Sequence, residues 1–259
     1  MKAPGRPLVV SYGMGVDSTA MLVWMHQRGV RPDAILFADT GGEKPETYAY
    51  LDHMDRWLAS VDCPRVTVVT KPGQARRSKH KTLEQNCVEN ETLPSLAFGY
   101  KSCSLKWKAT PMDQWVSRWQ PAQDAWARGE KVVRAIGYDA SPADLRRSKI
   151  KETSKFTYWY PLRDAGITRP GCKELIESAG LPVPMKSSCF FCPAMHREEV
   201  VYLAEHHPDL LRRALDMEEG ARDGKHGLKT TKGIGRSWSW TKFVADELPD
   251  YGKARCVIG

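Results

Sequence analysis

Residues 8–25 read LVVSYGMGVDSTAMLVWM, and this stretch decides the fold that we expect for the chain. An apolar run typical of a buried strand leads into a glycine-rich turn at residues 11–18, which is followed by a helical pattern. Glycines let backbone N–H groups approach an anion, and the start of a helix adds positive potential. The stretch therefore predicts a phosphate-binding loop. The alternative is an ordinary helix start capped by Asp17 and Ser18, which is worth about 1 kcal/mol.

The length and composition of the chain limit its class. Its 259 residues and 29.2 kDa predict one large domain, or one domain with an appendage. No run approaches the roughly 18 apolar residues of a membrane span, and no apolar signal-peptide core is present. We therefore expect a soluble, cytoplasmic protein with no membrane partner. In that compartment the seven cysteines favour metal or redox chemistry over a disulfide framework.

The formal net charge of +8 favours a polyanionic partner. The basic residues are concentrated in three segments: Lys71, Arg76, Arg77, Lys79 and Lys81; Arg146, Arg147, Lys149, Lys151 and Lys155; and Arg222, Lys225, Lys229, Lys232 and Arg236. Because such segments contact the phosphates of nucleic acids, one interpretation is a nucleic-acid substrate. The other is that these residues only keep loops solvated.

Strand-like and helical patterns alternate along the chain. The strand-like runs are residues 8–12, 34–38, 66–70, 132–136 and the shorter 158–160. The helical patterns are residues 17–28, 45–60, 111–119, 171–179 and 197–219. This alternation predicts an α/β fold, in which a Rossmann-like parallel sheet carries helices on both faces and a mainly helical part follows.

The same patterns predict the domain organisation. We expect a nucleotide-binding domain over residues 1–165 and a mainly helical, metal-binding C-terminal region over residues 166–259 packed on it. Residues 71–100 show little periodicity, which indicates a flexible or functional excursion.

Two further motifs follow predicted strands, at the edge where parallel sheets bind ligands. Residues 38–48 read ADTGGEKPETY, which places Asp39 and Thr40 where a ribose or adenine would be contacted. An ordinary strand-to-helix connection capped by Thr40 is the alternative. Residues 137–142 read GYDASP and are followed by Arg146, whose side chain either holds a phosphate or lies on the surface of a helix.

The cysteines predict a metal centre. Residues 189–193 read CFFCP, which puts the thiols of Cys189 and Cys192 on one tight turn. A thioredoxin-like dithiol is the local alternative. With Cys103 and Cys172 these residues make a set of four cysteines, which is typical of an iron–sulfur cluster or a Cys₄ zinc site. Cys87 is the reserve ligand.

In their order along the chain, these motifs resemble the phosphoadenosine-phosphosulfate reductase-like branch of the PP-loop (adenine nucleotide alpha-hydrolase-like) superfamily. That group also includes adenylyl-sulfate reductases, ATP pyrophosphatases and iron–sulfur sulfurtransferases. The resemblance covers about residues 7–200 and implies a Rossmann-like fold, an adenine nucleotide over the loop, and a [4Fe–4S] cluster near its phosphates. The residues expected to contact the nucleotide are Ser11, Gly13, Gly15, Asp17, Ser18, Thr19, Asp39, Thr40, Gly137 and Arg146.

The chain departs from the cluster-bearing reductases of that group in two places. It has Ser102-Cys103 where they have tandem cysteines, and Cys256 lies in KARCV where they have a reactive cysteine in ECGLH. The chain does retain the Asp-Ser of loops that bind ATP and adenylate a substrate. We therefore predict Asp17 and Ser18 as catalytic residues and favour ATP-dependent chemistry over reduction.

The resemblance and the departures together give an expected function. ATP with Mg²⁺ binds on the loop, a substrate oxygen attacks the α-phosphate, and pyrophosphate leaves. A sulfur species at the cluster, or another nucleophile, then displaces AMP. The expected substrate is a nucleic acid or nucleoside, and a sulfur donor or thiol reductant protein is a further expected partner. The alternatives are a thiol-dependent reductase of adenylyl sulfate or phosphoadenylyl sulfate, and a non-catalytic nucleotide- or nucleic-acid-binding module with a structural cluster.

Overall fold

The computed structural model describes residues 6–71, 81–225, 227–248 and 251. The chain divides into two compact units. The first comprises Met1–Asp39, Pro45–Val69 and Thr110–Ser187, and the second comprises Thr40–Lys44, Thr70–Ala109 and Ser188–Gly259. Of the residues singled out in the sequence, Arg76, Arg77, Lys79 and Cys256 lie outside the described part.

The first unit is built on a five-stranded sheet with the order β3-β2-β1-β4-β5. Its strands are β1 (Leu8–Ser11), β2 (Ala34–Asp39), β3 (Val66–Thr70), β4 (Val132–Ile136) and β5 (Phe156–Trp159). The central strand β1 pairs in parallel with β2 and β4, and β4 pairs in parallel with β5. The predicted parallel α/β sheet is therefore confirmed.

The helices complete the element order. They are α1 (Val16–Gln27), α2 (Pro45–Ser60), α3 (Leu83–Glu89), α4 (Ser102–Ser104), α5 (Thr110–Arg118), α6 (Gln120–Ala127), α7 (Pro142–Arg147), α8 (Pro161–Asp164), α9 (Arg169–Ser178), α10 (Arg197–His206), α11 (Pro208–Asp223) and α12 (Trp240–Glu247). A 3₁₀ turn covers Ser95–Phe98, and a π-helical turn over Leu105–Ala109 joins α4 to α5.

Side chains on opposite faces of the sheet enter separate apolar clusters, because successive residues of a strand point to opposite sides. Leu8 and Val10 pack with buried residues of α1, α2, α8 and α9. Val9 packs with buried residues of α5 and α6. Helices therefore cover both faces, as the long apolar strands predicted.

The second unit has an apolar core of its own. Buried residues of α3, α10, α11 and α12 form it, together with Trp107 of the π-helical turn and the Phe190–Phe191 pair. The buried carboxylate of Glu218 on α11 lies within this unit. Across both units, none of the helices among the described residues is long and apolar enough to cross a membrane.

Three boundaries differ from those expected from the sequence. The predicted helix 197–219 is two helices, since Pro208 has no N–H to continue the first one and disfavours helical geometry at His207. Strand β5 begins two residues earlier than expected, and the supposed excursion contains α3. In the first compact unit, α9 packs on α1 through Cys172.

Candidate functional site

The predicted phosphate loop connects β1 to α1 in the first unit. The hydroxyl of Ser18 lies at its centre, where it accepts hydrogen bonds from the N–H groups of Gly13 (3.2 Å) and Gly15 (3.3 Å) and donates one to the Gly15 carbonyl (3.1 Å). Ser187 donates a hydrogen bond to the Gly13 carbonyl from a distant part of the chain. Met14, between the two glycines, is buried at a φ of 54°. The turn is therefore held in one shape by side chains.

The three glycines of this site differ in the space around them. Gly137 follows β4, and a Cβ there would lie 2.7 Å from Cα and 2.8 Å from N of Ser18. Only glycine allows this approach of the strand end to the start of α1. At Gly13 and Gly15 a Cβ would meet only ordinary contacts, at 3.8 and 3.5 Å. The protein itself therefore leaves room above these two glycines.

Asp17, one of the two predicted catalytic residues, forms an ion pair with Arg169 at the start of α9. The Arg169 Nη1 atom lies 2.7 Å from each carboxylate oxygen. Burial raises the pKa of Asp17, and the Arg169 cation opposes that rise. The carboxylates of Asp139 and Asp144 add to it. The first turn of α1 therefore places the Arg169 guanidinium beside the N–H groups of a helix start, and both can donate hydrogen bonds to an anion.

The other first-unit residues that were predicted to contact the nucleotide differ in their burial and in their hydrogen-bond partners. The Thr19 hydroxyl is buried and bonds to the Tyr12 hydroxyl at 3.1 Å, so its side chain belongs to the core. Ser11 ends β1, and Asp39, at the end of β2, accepts a hydrogen bond from Tyr48 at 2.8 Å. Arg146 is exposed on α7. The contacts expected of these residues with a nucleotide stay predictions.

Thr40 and three of the predicted metal ligands lie in the second unit. The Thr40 hydroxyl is buried and lies 3.0 Å from the Cys189 sulfur. Cys189 and Cys192 lie at the two ends of one turn, which is closed by a 3.0 Å hydrogen bond from the Cys192 N–H to the Cys189 carbonyl. Cys103 packs against the same apolar cluster. Thr40 is thus a neighbour of the cysteine pair, which its sequence motif did not indicate.

An ion pair between a half-buried lysine and a buried glutamate lies beside the two cysteines of that turn. The Lys108 ammonium lies 2.8 Å from a carboxylate oxygen of Glu43, whose side chain is fully buried. Burial lowers the pKa of Lys108, but Glu43, Cys189 and Cys192 outweigh burial and raise it overall. The pKa of Cys189 is raised to about 12, by burial and then by Glu43, whereas Lys108 opposes the rise. Without a metal, the Cys189 thiol is protonated at neutral pH.

The fourth predicted ligand, Cys172, lies in the first unit. It is fully buried in the core on α9, and its pKa is raised to about 12 by burial and by Asp17 and Asp139. Cys87, the reserve ligand, is buried in the same apolar cluster of the second unit as Cys189. The pKa of Cys87 is raised to about 12, by burial first and then by Cys103.

The described residues contain no group of three or more His, Cys, Asp or Glu side chains placed to hold a metal ion. The placement of the cysteines therefore does not by itself make a metal site, and no reaction step is assigned to a cluster. The second unit does supply the right kind of ligand, because iron–sulfur clusters are held by cysteine thiolates. Four cysteines belong to its apolar cluster: Cys87, Cys103, Cys189 and Cys192.

Sequence reasoning missed Arg169, Ser187, Glu43 and Lys108 as members of these sites. Arg169 and Ser187 are more than 150 residues from their partners in the loop. The interval between Glu43 and Lys108 is 65 residues. A basic residue at a helix start next to Pro170 carries no local pattern that would distinguish it from a surface arginine.

Comparison with known proteins identifies a family whose domain includes the parallel sheet of the first unit. The sequence pattern of the phosphoadenosine phosphosulfate reductase domain matches residues 7–163, which is more than half of the chain. The chain belongs to this family. The family assignment agrees with the parallel sheet and the loop between β1 and α1, and it identifies a PP-loop domain of the enzyme kind.

Among solved structures, the U34-tRNA thiolase of Methanococcus maripaludis with its [4Fe-4S] cluster is similar at 12% identity and a TM-score of 0.41. The alignment covers 96% of this chain and 80% of that chain. A TM-score of this size is too low to transfer function. No curated protein matches the chain.

Proposed function

We propose that this member of the phosphoadenosine phosphosulfate reductase domain family binds ATP on the loop of residues 11–18 and transfers AMP to a nucleic acid or nucleoside. One observation carries the proposal. Gly13 and Gly15 have room for a side chain and need no special backbone conformation, yet both are glycine on the loop that faces the start of α1. A ligand that must approach the backbone explains glycine at such positions.

The residues of the first unit have defined roles in this reaction. Ser18 fixes the turn by accepting hydrogen bonds from the N–H groups of Gly13 and Gly15, and the N–H groups at the start of α1 receive the phosphates. Arg169, oriented by Asp17, offers its other guanidinium N–H groups to the developing pyrophosphate. A substrate oxygen bonds to the α-phosphorus while the bond from that phosphorus to the bridging oxygen breaks. Pyrophosphate leaves with that bonding pair, and the substrate oxygen loses its proton to solvent. Mg²⁺ accompanies the triphosphate as part of this substrate.

Gly15→Val tests the nucleotide site. The new Cβ would lie 3.5 Å from the Ser187 hydroxyl, an ordinary contact, so the variant folds while the branched side chain occupies the space for the phosphates. We expect loss of ATP binding by calorimetry with a retained melting temperature. Gly220→Val, at an open position on α11, is the matched control and retains ATP binding. Unchanged ATP affinity in folded Gly15→Val would reject the site.

We further propose that Cys103, Cys189 and Cys192 of the second unit ligate a metal centre, as a [4Fe–4S] cluster. The proposal is supported because these three cysteines lie in one apolar cluster. Cys87 lies in the same cluster and is therefore the rival to Cys172, the fourth ligand predicted from the sequence. Anaerobically purified protein should contain iron and acid-labile sulfide. Stoichiometric zinc without iron would disprove the cluster. A full cluster content in Cys172→Ala together with loss of the cluster in Cys87→Ala would identify Cys87 as the fourth ligand.

A second candidate function is a thiol-dependent reductase of adenylyl sulfate or phosphoadenylyl sulfate, and the family match itself favours it. Incubation with ATP and with adenylyl sulfate in separate reactions, each with candidate acceptors and a thiol reductant, distinguishes the two. Pyrophosphate release that needs an acceptor supports adenylation. Sulfite release that depends on Cys256 and is indifferent to ATP supports reduction. Binding of nucleotide with neither product supports a non-catalytic module.

A further inference from the structure

The second unit contains a cavity of about 640 Å³ beside α12 and the first residue of α10. This volume is within the range of ligand-binding pockets. The described side chains that line it include five cations and two carboxylates. The cations are Arg197, Arg222, Lys229, Lys232 and Lys242, and the carboxylates are Asp246 and Glu247. The lining therefore has an excess of positive charge and favours an anionic ligand.

Aromatic rings hold one of the cations of this C-terminal cavity. The Arg197 guanidinium lies 5.6 Å from the ring centroid of Trp238 and 5.4 Å from that of Phe243. The two rings meet edge to face at 5.4 Å, so they form one rigid wall. A guanidinium backed by aromatic faces keeps its planar set of donors oriented, and this geometry matches a phosphate group.

A single buried carboxylate organises the walls of the cavity. Glu218, fully buried, accepts hydrogen bonds from the N–H groups of Ile234 (2.7 Å) and Trp240 (3.0 Å) and lies 3.1 Å from the Arg222 guanidinium. A Cβ on Gly233 would lie 2.3 Å from Glu218, so the chain passes directly over the carboxylate. The segment before α12 and the end of α11 are thereby fixed together before any ligand binds.

The lysines of the cavity are exposed, and no carboxylate within the described part of the chain pairs with Lys229, Lys232 or Lys242. A second cavity of about 530 Å³ shares Thr230, Thr231 and Ser237 with the first and adds the Arg236 side chain. The two cavities therefore adjoin along one segment and offer cations in succession. A nucleic-acid strand presents its phosphates in the same way, whereas a single small anion would use only one cavity.

We propose that the C-terminal cavity binds the backbone of a single-stranded nucleic acid, with one nucleotide in the larger cavity and a neighbouring phosphate at Arg236. The inference deepens the proposed function, on which its choice of substrate class rests, and adds a binding site separate from the ATP loop. In this site Arg197 and the lysines contact phosphate, and Glu218 is a positioning residue.

The experiment measures binding of a fluorescently labelled single-stranded RNA to the full chain, without ATP, over a series of salt concentrations. Lys229→Gln combined with Lys232→Gln removes two cations of the cavity. Arg118→Gln combined with Lys173→Gln removes two exposed cations of the first unit and is the matched control. We expect the cavity variant to lose at least tenfold in affinity, and its log–log salt slope to flatten by about 1.4 for two lost contacts. The control should change affinity by less than about twofold.

Two results would overturn the inference: equal losses in the two variants, or binding of inorganic pyrophosphate at the cavity with no binding of the RNA. Melting temperatures check that each variant is folded, and Arg197→Lys tests the aromatic-backed guanidinium independently through a smaller loss of affinity. ATP binding is measured in the same proteins. RNA binding without ATP binding defeats the proposed function alone, and ATP binding without RNA binding defeats this inference alone.

Discussion

Replacing Gly137 by alanine perturbs the point where β4 meets α1. The added Cβ would lie 2.7 Å from Ser18 Cα and 2.8 Å from Ser18 N. Both are backbone atoms, so no rotation of a side chain relieves the overlap, and the strand end must move away from the helix. Forced overpacking of this kind costs about 1–3 kcal/mol. For a chain of this size, about 2 kcal/mol lowers the melting temperature by about 4–8 °C.

Thermal unfolding of Gly137→Ala and calorimetric titration with ATP check this reasoning together. We expect a lower melting temperature and weaker ATP binding, because the displaced helix start carries the N–H groups of the loop. Gly15→Ala is the control: its Cβ meets only an ordinary contact, so its stability stays within about 0.5 kcal/mol of the parent. The reasoning is refuted if Gly137→Ala melts at the parent temperature and binds ATP with the parent affinity.

Three further predictions concern buried polar groups. Glu218→Gln should destabilise the chain by at least about 2 kcal/mol in urea unfolding, since each hydrogen bond to a charged group is worth about 1.5–3 kcal/mol; a change below about 0.5 kcal/mol would contradict this. Burial raises the pKa of Tyr50 from 10.0 to about 12, so its contribution to stability is complete below pH 10 and is lost as the pH rises towards 12. Tyr50→Phe should lower the free energy of unfolding by about 1 kcal/mol at neutral pH, because it loses the 2.8 Å hydrogen bond to the Pro182 carbonyl. It should also reduce the fall of the urea midpoint between pH 10 and 12, and an unchanged fall would count against this prediction. Arg169→Gln should raise the pKa of Asp17 further, because burial is then unopposed, and a carboxyl NMR titration showing no shift would disprove the assigned cause.

The fold was predictable because its pattern is local. The apolar runs that became β1, β3 and β4 are read from their own residues, and glycines and helical periodicity give the turn that follows β1. The break between α10 and α11 had a local cause in Pro208, which the helical periodicity on either side concealed. The helices α3 and α12 have only 7 and 8 residues, which is too short for a periodic pattern to predict them, and both pack in the apolar core of the second unit.

The candidate sites were predictable only in part. The loop residues are contiguous, so their chemistry is visible in the sequence. The cysteines gave a set of candidate ligands, but cysteine spacing cannot distinguish Cys172, which is a core residue of α9, from Cys87, which shares a cluster with Cys189. Both are buried thiols, and burial follows from the packing of whole helices.

By itself, the sequence determined that this protein has a parallel α/β sheet with a glycine-rich loop at the end of its first strand, because strand, turn and helix preferences act over a few neighbouring residues. The tertiary structure alone decided which distant groups complete each site. It brought Arg169 to Asp17, Lys108 to Glu43 and the N–H groups at the start of α12 to Glu218. Ion pairs and hydrogen bonds depend on distance in space, and residues 22 to 152 positions apart in the chain carry no local trace of such a partner.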